Sequence, residues 1–277
     1  MPRSLDQGLV DAPKALLMTI LRKIRRIMYE HYGLKKLSIR PIGSGSSRLS
    51  IPIKMSGINE NGERVNYFGK ILGSSDFISA LSIQFLKNIY LHMNAQDPIF
   101  DASASAKELA THQYETLEAI FKSGIPTAKV YGCYAIDEIR WLLVVEYVDA
   151  KPLSVAEIGV EVLETAFRHM ERLHKKKIFH GDIKPDNIML GKEIYILDVG
   201  RFREGVPDSK KLAYDLACLI CSFLHARPVE EIIEMARKFY SKRDMRTAAE
   251  YIGLVQRRPD IYFTDETANK LRRFMRS

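Results

Sequence analysis

The octapeptide His180-Gly181-Asp182-Ile183-Lys184-Pro185-Asp186-Asn187, followed eleven residues after its asparagine by Asp198-Val199-Gly200, constrains this chain more than any other feature. Polar turns of this kind do not hold themselves in place, and the flanking residues supply the grip. Lys177-Ile178-Phe179 leads into the octapeptide and Ile188-Met189-Leu190 leads out of it. Glu193–Leu197 then reads as a short buried strand that delivers Asp198 at its end. Alone, the octapeptide is a polar turn; the strand-borne second aspartate at a fixed distance argues for a site. Asp182, Asn187 and Asp198 are oxygen-bearing side chains of the sort that hold magnesium and orient a hydroxyl.

The pattern H-x-D-x-K-x-x-N…D-x-G resembles the catalytic and metal-binding loops of the protein-kinase-like superfamily. That resemblance implies an α+β, bilobal fold, with a small antiparallel β-sheet N-lobe carrying helices and a mainly helical C-lobe. It implies ATP and Mg²⁺ as cofactors. Asp182 would orient the acceptor hydroxyl and take its proton, and Lys184 would neutralise charge on the moving phosphoryl group. Asn187 and Asp198 would hold Mg²⁺. His180 is assigned to bracing the loop.

Upstream, Ser38–Gly43, Arg48–Met55 and Val65–Leu72 read as strands, the last two joined by a turn at Asn61-Gly62. The first two flank Gly43-Ser44-Gly45-Ser46-Ser47, where backbone N–H groups can approach phosphate oxygens without side chains intervening. Within the superfamily pattern, Gly43 and Gly45 would close over ATP, and Lys70, flanked by apolar residues, would grip its α- and β-phosphates. Val130–Ala135 and Trp141–Val145 read as two further strands, the second running into Glu146-Tyr147-Val148. This resembles the kinase hinge, where backbone groups at Glu146 and Val148 would bind the adenine edge.

The helix after the lysine strand supplies, in kinase-like proteins, a glutamate that pairs with that lysine. Here the helix Ala106–Lys122 offers Glu108, Gln113 and Glu115. Counting back from Gly124 lands on Gln113, and Glu115 lies about 200° around the helix from it, so only one can face the lysine. Glu115 is the narrow choice.

Three departures separate the chain from regulated protein kinases. Gly181 stands where many of them have an arginine that reads a phosphorylated loop. Only seventeen positions separate Asp198 from Asp215, with no A-P-E-like element between them, and the region after Asp215 is small. These features resemble the compact atypical kinases: RIO-type kinases, aminoglycoside or choline phosphotransferases, and lipopolysaccharide kinases. Lys184 points instead to serine/threonine protein kinases. The reading is an atypical phosphotransferase with a seryl or threonyl acceptor ahead of a small-molecule alcohol. Its rivals are a small-molecule or lipid-saccharide kinase and a pseudokinase that binds ATP without turnover.

The domain boundaries read as a basic amphipathic extension at 1–37, an N-lobe at 38–148 with a helical insert near 74–105, and a helical C-lobe at 149–277. The extension begins as a loose tail, Met1–Pro13. A helix then follows, with Leu17, Ile20, Leu21, Ile24, Ile27 and Met28 on one face and Arg22, Lys23, Arg25 and Arg26 largely off it. Such a helix packs on the domain it precedes or lies on an anionic membrane.

The net charge of +8 is uneven: residues 1–40 and residues 237–277 each carry +6, leaving −4 between them. Basic ends of this kind suit an anionic partner, whether RNA, an acidic protein or a membrane surface. Three cysteines, no resemblance to a signal peptide and no long uncharged apolar run place the expectation in the cytoplasm, with peripheral membrane contact through the basic helix. Cys218 and Cys221 form a CxxC within an apolar helical run and read as packing rather than as a zinc site.

Overall fold

The structure, a computed structural model, describes residues 5–42, 50–73, 88–89, 91–93, 96–101 and 105–277, with side chains in the first helix from residue 16 onward. It divides into two compact units. The first comprises Met1–Ser79, Ser105–Ala110 and Tyr131–Tyr147; the second comprises Ala80–Ala104, Thr111–Val130 and Val148–Ser277.

The first unit is a five-stranded antiparallel sheet with a long helix against it. Helix α1 runs Leu5–Tyr32. Strands β1 (Lys35–Pro41), β2 (Ser50–Ile58), β3 (Arg64–Leu72), β4 (Val130–Ala135) and β5 (Trp141–Glu146) are ordered β1-β2-β3-β5-β4. The β2–β3 hairpin turns at Asn59–Glu63, where Gly62 takes the left-handed backbone that the Asn-Gly pair predicts (φ +80°).

Side chains alternate along β2, while β5 is buried on consecutive residues. Ile53 and Met55 on β2, Ile71 on β3, and Leu142 and Val144 on β5 bury against Ile24, Ile27 and Met28 of α1. Tyr32 continues the contact, with its hydroxyl 2.8 Å from that of Tyr134 and its ring 5.2 Å from Tyr67. The helix therefore supplies one layer of this unit's core. It also starts earlier than expected: residues 5–13 are helical and Pro13 lies within the helix. A proline there forgoes one backbone hydrogen bond, a cost that a helix of 28 residues absorbs. Only the C-terminal part of the expected apolar face is covered, and Leu17 is exposed.

Helix α2 (Ala106–Lys122) matches its sequence-derived bounds and starts with a capping box, Ser105 and Glu108 exchanging side-chain and backbone hydrogen bonds. The second unit continues with a short three-stranded sheet of β6 (Lys151–Pro152), β7 (Ile188–Leu190) and β8 (Ile194–Ile196). Its helices are α3 (Val160–Lys175), α4 (Asp208–Ser222), α5 (Val229–Phe239), α6 (Lys242–Ala249), α7 (Ile252–Gln256) and α8 (Asp265–Arg276). Helix α3 begins only at Val160 because Leu153–Val155 forms a 3₁₀ turn and Gly159 is extended.

Helix α4 is buried without interruption from Ala213 to Ser222, so Cys218 and Cys221 are core residues, and burial pushes the Cys221 thiol far above its ordinary pKa. Among the described residues no helix is long and apolar enough to cross a membrane.

If α1 is a core layer, truncating its buried side chains should destabilise the fold. Ile24→Ala or Met28→Ala is expected to cost about 2–5 kcal/mol, whereas Leu17→Ala should be nearly neutral. Thermal and urea unfolding of the three variants measures the contrast.

Candidate active site

The second unit assembles the aspartates and the asparagine singled out in the sequence. The octapeptide leaves α3 through Lys177, which is itself left-handed (φ +58°), and ends in a 3₁₀ turn, Pro185–Asn187, that feeds β7. Strand β8 returns alongside β7 and ends two residues before Asp198; between them, Leu197 N–H donates to the Asn187 carbonyl at 2.8 Å. Asp198 is left-handed (φ +57°), a backbone state that non-glycine residues rarely adopt outside functional turns.

Two glycines lock the loops together. Gly200 N–H donates to His180 O at 2.8 Å. A Cβ on Gly181 would stand 3.1 Å from the Gly200 carbonyl, and one on Gly200 would stand 2.7 Å from Gly181 O. Gly181 is also left-handed (φ +74°). The glycine that replaces the kinase arginine is thus required by backbone contact.

Asp215, on α4 and fully buried, fastens the loop from beneath. Its carboxylate accepts from His180 N at 2.7 Å and from Gly181 N at 2.9 Å, and lies 3.4 Å from His174 Nε2. His174 Nδ1 is in turn 3.0 Å from the Tyr240 hydroxyl. His180 is buried and neutral: Nδ1 accepts from Asp182 N at 3.2 Å, so Nε2 carries the hydrogen and donates to Leu197 O at 3.0 Å. Burial holds its pKa below the ordinary histidine value against the pull of Asp215 and Asp182. Its assigned bracing role matches these bonds.

Asn187 donates its amide to Asp182 O at 2.8 Å and, more weakly, to Asp182 Oδ2 at 3.3 Å. Those bonds fix the amide's orientation and leave Oδ1 as its ligating atom. Oδ1 of Asn187 with the half-buried Asp198 carboxylate makes a hard-oxygen donor pair of the type that holds Mg²⁺ together with phosphate oxygens.

Lys184 Nζ stands 3.8 Å from Asp182 Oδ2 and 3.7 Å from Asp260 Oδ2. Burial opposes its charge, yet Asp182, Asp198 and Asp260 outweigh it and hold the ammonium above the ordinary lysine pKa. A cation so placed is permanently available to anionic oxygen.

The remaining sequence-derived residues lie elsewhere. Lys70 is buried on β3 of the first unit, and Glu146 is exposed at the end of β5. Val148 is the first residue of the next segment of the second unit. Gly43 and Gly45 lie outside the described residues. On α2, Glu115 is exposed and borders a surface hollow with His112, Thr116 and Lys211, whereas Gln113 is buried. Gln113 Nε2 donates to Val199 O at 3.2 Å and His112 Nε2 to Gly200 O at 2.9 Å. This pair tethers the metal-loop backbone to α2.

No protein-family model matches this sequence, and neither does any curated protein. Among solved structures, a putative fructosamine-3-kinase from Haemophilus somnus 129PT aligns with a TM-score of 0.51 at 10% identity, covering 94% of this chain and 97% of that one. The amicoumacin kinase hAmiN, in complex with AMP-PNP, Ca²⁺ and Ami, aligns with a TM-score of 0.52 at 10% identity, covering 92% and 91%. The chain has a protein-kinase-like fold. The Mycobacterium tuberculosis PknI kinase domain also aligns, at 13% identity over 86% of this chain and 96% of that one, with a TM-score of 0.45. Identities this low speak for the fold and not for the acceptor.

Within the kinase-like fold, the sequence reading missed Arg258 and Asp260. Arg258, 2% exposed at its side chain, forks onto Asp260 through Nε (2.9 Å) and NH2 (2.8 Å), and NH2 also reaches Asp182 Oδ1 at 2.9 Å. Its NH1 donates to the Tyr214 hydroxyl at 3.0 Å. Burial lowers the guanidinium's pKa, but Tyr214, Asp182 and Asp260 outweigh it and hold the pKa far above the ordinary value. In the sequence these residues belonged to a basic terminus, and the Arg-Pro-Asp run after α7 gave no sign of contact 76 positions upstream.

Two outcomes follow. Asp215→Leu should leave two loop N–H groups buried without acceptors, costing about 1–3 kcal/mol each and abolishing turnover, while Asp215→Asn should retain part of both; unfolding midpoints paired with rates test this. His112, His169 and His180 all have pKa values lowered chiefly by burial. The unfolded chain then binds more protons, so their stabilisation is complete above about pH 6.5 and declines as pH falls through that value. Tm should drop between pH 7.5 and 5.5, and His112→Gln, whose amide can still reach Gly200 O, should shrink the drop.

Proposed function

We propose that this protein transfers the γ-phosphate of ATP to a hydroxyl in a Mg²⁺-dependent reaction. The observation that carries this reading is the single hydrogen-bonded cluster of Asp182, Asn187 and Asp198 beside Lys184. Asn187 Oδ1 and the Asp198 carboxylate would hold Mg²⁺, which supplies charge neutralisation on the phosphates. Asp182 has Oδ1 fastened by Arg258, and Oδ2, held more weakly by Asn187 at 3.3 Å, would take the acceptor proton. Lys184 offers its charge to the phosphoryl oxygens. Lys70, Gly43 and Gly45 would contact the ATP phosphates, and the backbone at Glu146 and Val148 the adenine.

Two readings of the acceptor each rest on one observation. The segment after Asp198 favours a small hydroxyl-bearing molecule. It reaches α4 within nine residues, and part of it is spent on pairing: Phe202 bridges and stacks on Phe100, Arg203 N donates to Ile99 O, and Arg201 pairs with Asp101. Backbone engaged in this way is not free to dock an extended peptide. Lys184 favours a seryl or threonyl acceptor, as in serine/threonine protein kinases. The small-molecule kinases among the structural matches accord with the first reading.

Incubation with γ-labelled ATP and cell extract, followed by separating labelled protein from labelled small molecules and lipid, decides between them. With any substrate found, Asp182→Asn should lower kcat about 10²–10⁴-fold with ATP affinity little changed. Equal turnover by the two proteins would remove Asp182 from the mechanism.

A further inference from the structure

The first unit carries a charged feature of its own. One face of its sheet is covered by α1; the other holds a groove of about 420 Å³ across β1, β2 and β3. Four cations line it: Lys36 and Arg40 from β1, Lys54 from β2 and Arg64 from β3. No carboxylate does. Ser38, Ser56 and Asn66 lie between the cations, with the Ser56 hydroxyl donating to Asn66 Oδ1 at 2.6 Å. At the rim, Lys54 Nζ sits 3.8 Å from the centre of the Tyr147 ring.

The pattern arises from strand periodicity and one irregularity. Leu37 and Ile39 point to the core, as do Ile53 and Met55, so their neighbours point to the groove. Lys36 keeps its place in this alternation although it sits in the bulge between Lys35 and Ser38, where the pairing register shifts. Lys36 there adopts φ +51°, a left-handed state that costs an ordinary side chain roughly 1–2 kcal/mol. A strained backbone thus holds a fourth cation in the groove, where like charges already repel.

We infer that this groove binds single-stranded nucleic acid, with the cations on successive phosphates and the Ser and Asn side chains as hydrogen-bond partners. The cations are spread over three strands, about 4.8 Å apart from one strand to the next, instead of converging on one point. That arrangement matches a chain of separated negative charges better than a single phosphate group. Ile58 is the one large apolar side chain among the described lining residues, which gives a peptide little apolar anchor and a bilayer little to insert. Tyr147 offers a ring on which a base can stack. Lys70, the proposed phosphate contact, shares this face of β3 but lies four residues along the strand from Asn66, about 13 Å away.

The test is fluorescence anisotropy with a labelled oligouridylate twelve nucleotides long, the full-length protein and a salt series. Wild type should bind, with log Kd rising with log[salt]. Replacing Lys36, Arg40, Lys54 and Arg64 together by serine should weaken binding at least about 10-fold and reduce the salt slope by about 3, since each phosphate contact on a single strand contributes about 0.7. The companion variant Lys36→Arg, Lys54→Arg keeps the charge and should bind as wild type, which separates loss of charge from loss of fold. Circular dichroism and ATP turnover, neither of which depends on these residues, should be unchanged in both.

The inference is overturned by absence of oligonucleotide binding in wild type, or by equal binding in the serine variant. It is also overturned if phosphatidylserine vesicles or polyglutamate bind the groove more tightly than the oligonucleotide. Binding that instead disappears on replacing Arg22, Lys23, Arg25 and Arg26 would assign the nucleic acid to α1.

Discussion

The buried carboxylate of Asp215 is the interaction on which the active loop depends. A fully desolvated anion is tolerated only where donors surround it, and here the donors are the N–H groups of His180 and Gly181 with His174 alongside. The arrangement works in both directions. The helix cannot keep the charge without the loop, and the backbone N–H groups of the loop's first two residues end on that carboxylate. From that anchor the order propagates: His180 turns its ring to Leu197 and Asp182, Gly200 closes onto the His180 carbonyl, and Asn187 ties Asp182 to the far end of the turn. The acid, the amide and the second acid take their places as consequences of one buried charge.

Much of this was legible in the sequence because the loop residues act locally. Asp182, Lys184 and Asn187 are within six positions of one another, and Asp198 is delivered by a strand that the apolar run Ile194-Tyr195-Ile196 announces. The strands of the first unit were legible for a similar reason, since period-two patterns and the Asn-Gly turn need only neighbours. What the sequence hid depends on pairs far apart. Asp215 served only as a landmark in the linear reading, although it is an aspartate within an otherwise apolar helical face and therefore needs a partner. On α2 the choice of Glu115 followed charge. The structure exposes Glu115 and buries Gln113, which holds the Val199 carbonyl, a pairing that no helical periodicity reveals.

The start of α1 taught a different lesson. Proline was read as a boundary because its missing N–H and fixed φ suit a first turn. Those same properties are a finite cost within a helix, and 28 residues can carry it. Composition was similarly ambiguous about the basic ends. Arg258 was counted among solvent-facing charges, yet it is among the most buried cations described, and its charge is consumed internally by Asp182 and Asp260. Net charge by segment says nothing about which charges remain available to a partner.

That consumption bears on the chemistry. A carboxylate base with two equivalent free oxygens could take a proton through either, and would swing to do so. Arg258 holds one of them at 2.9 Å and so fixes the direction of the carboxylate. Asp260 prevents the guanidinium from pairing too completely with Asp182, because it takes two of the three bonds that Arg258 makes to carboxylates. Lys184, between Asp182 and Asp260, is balanced in the same way and keeps its proton while staying near the base. Two cations and two anions thus form a closed square at the acceptor side of the loop, which fixes Asp182 in direction and leaves Oδ2 facing the Lys184 ammonium, where acceptor proton and phosphoryl charge would meet.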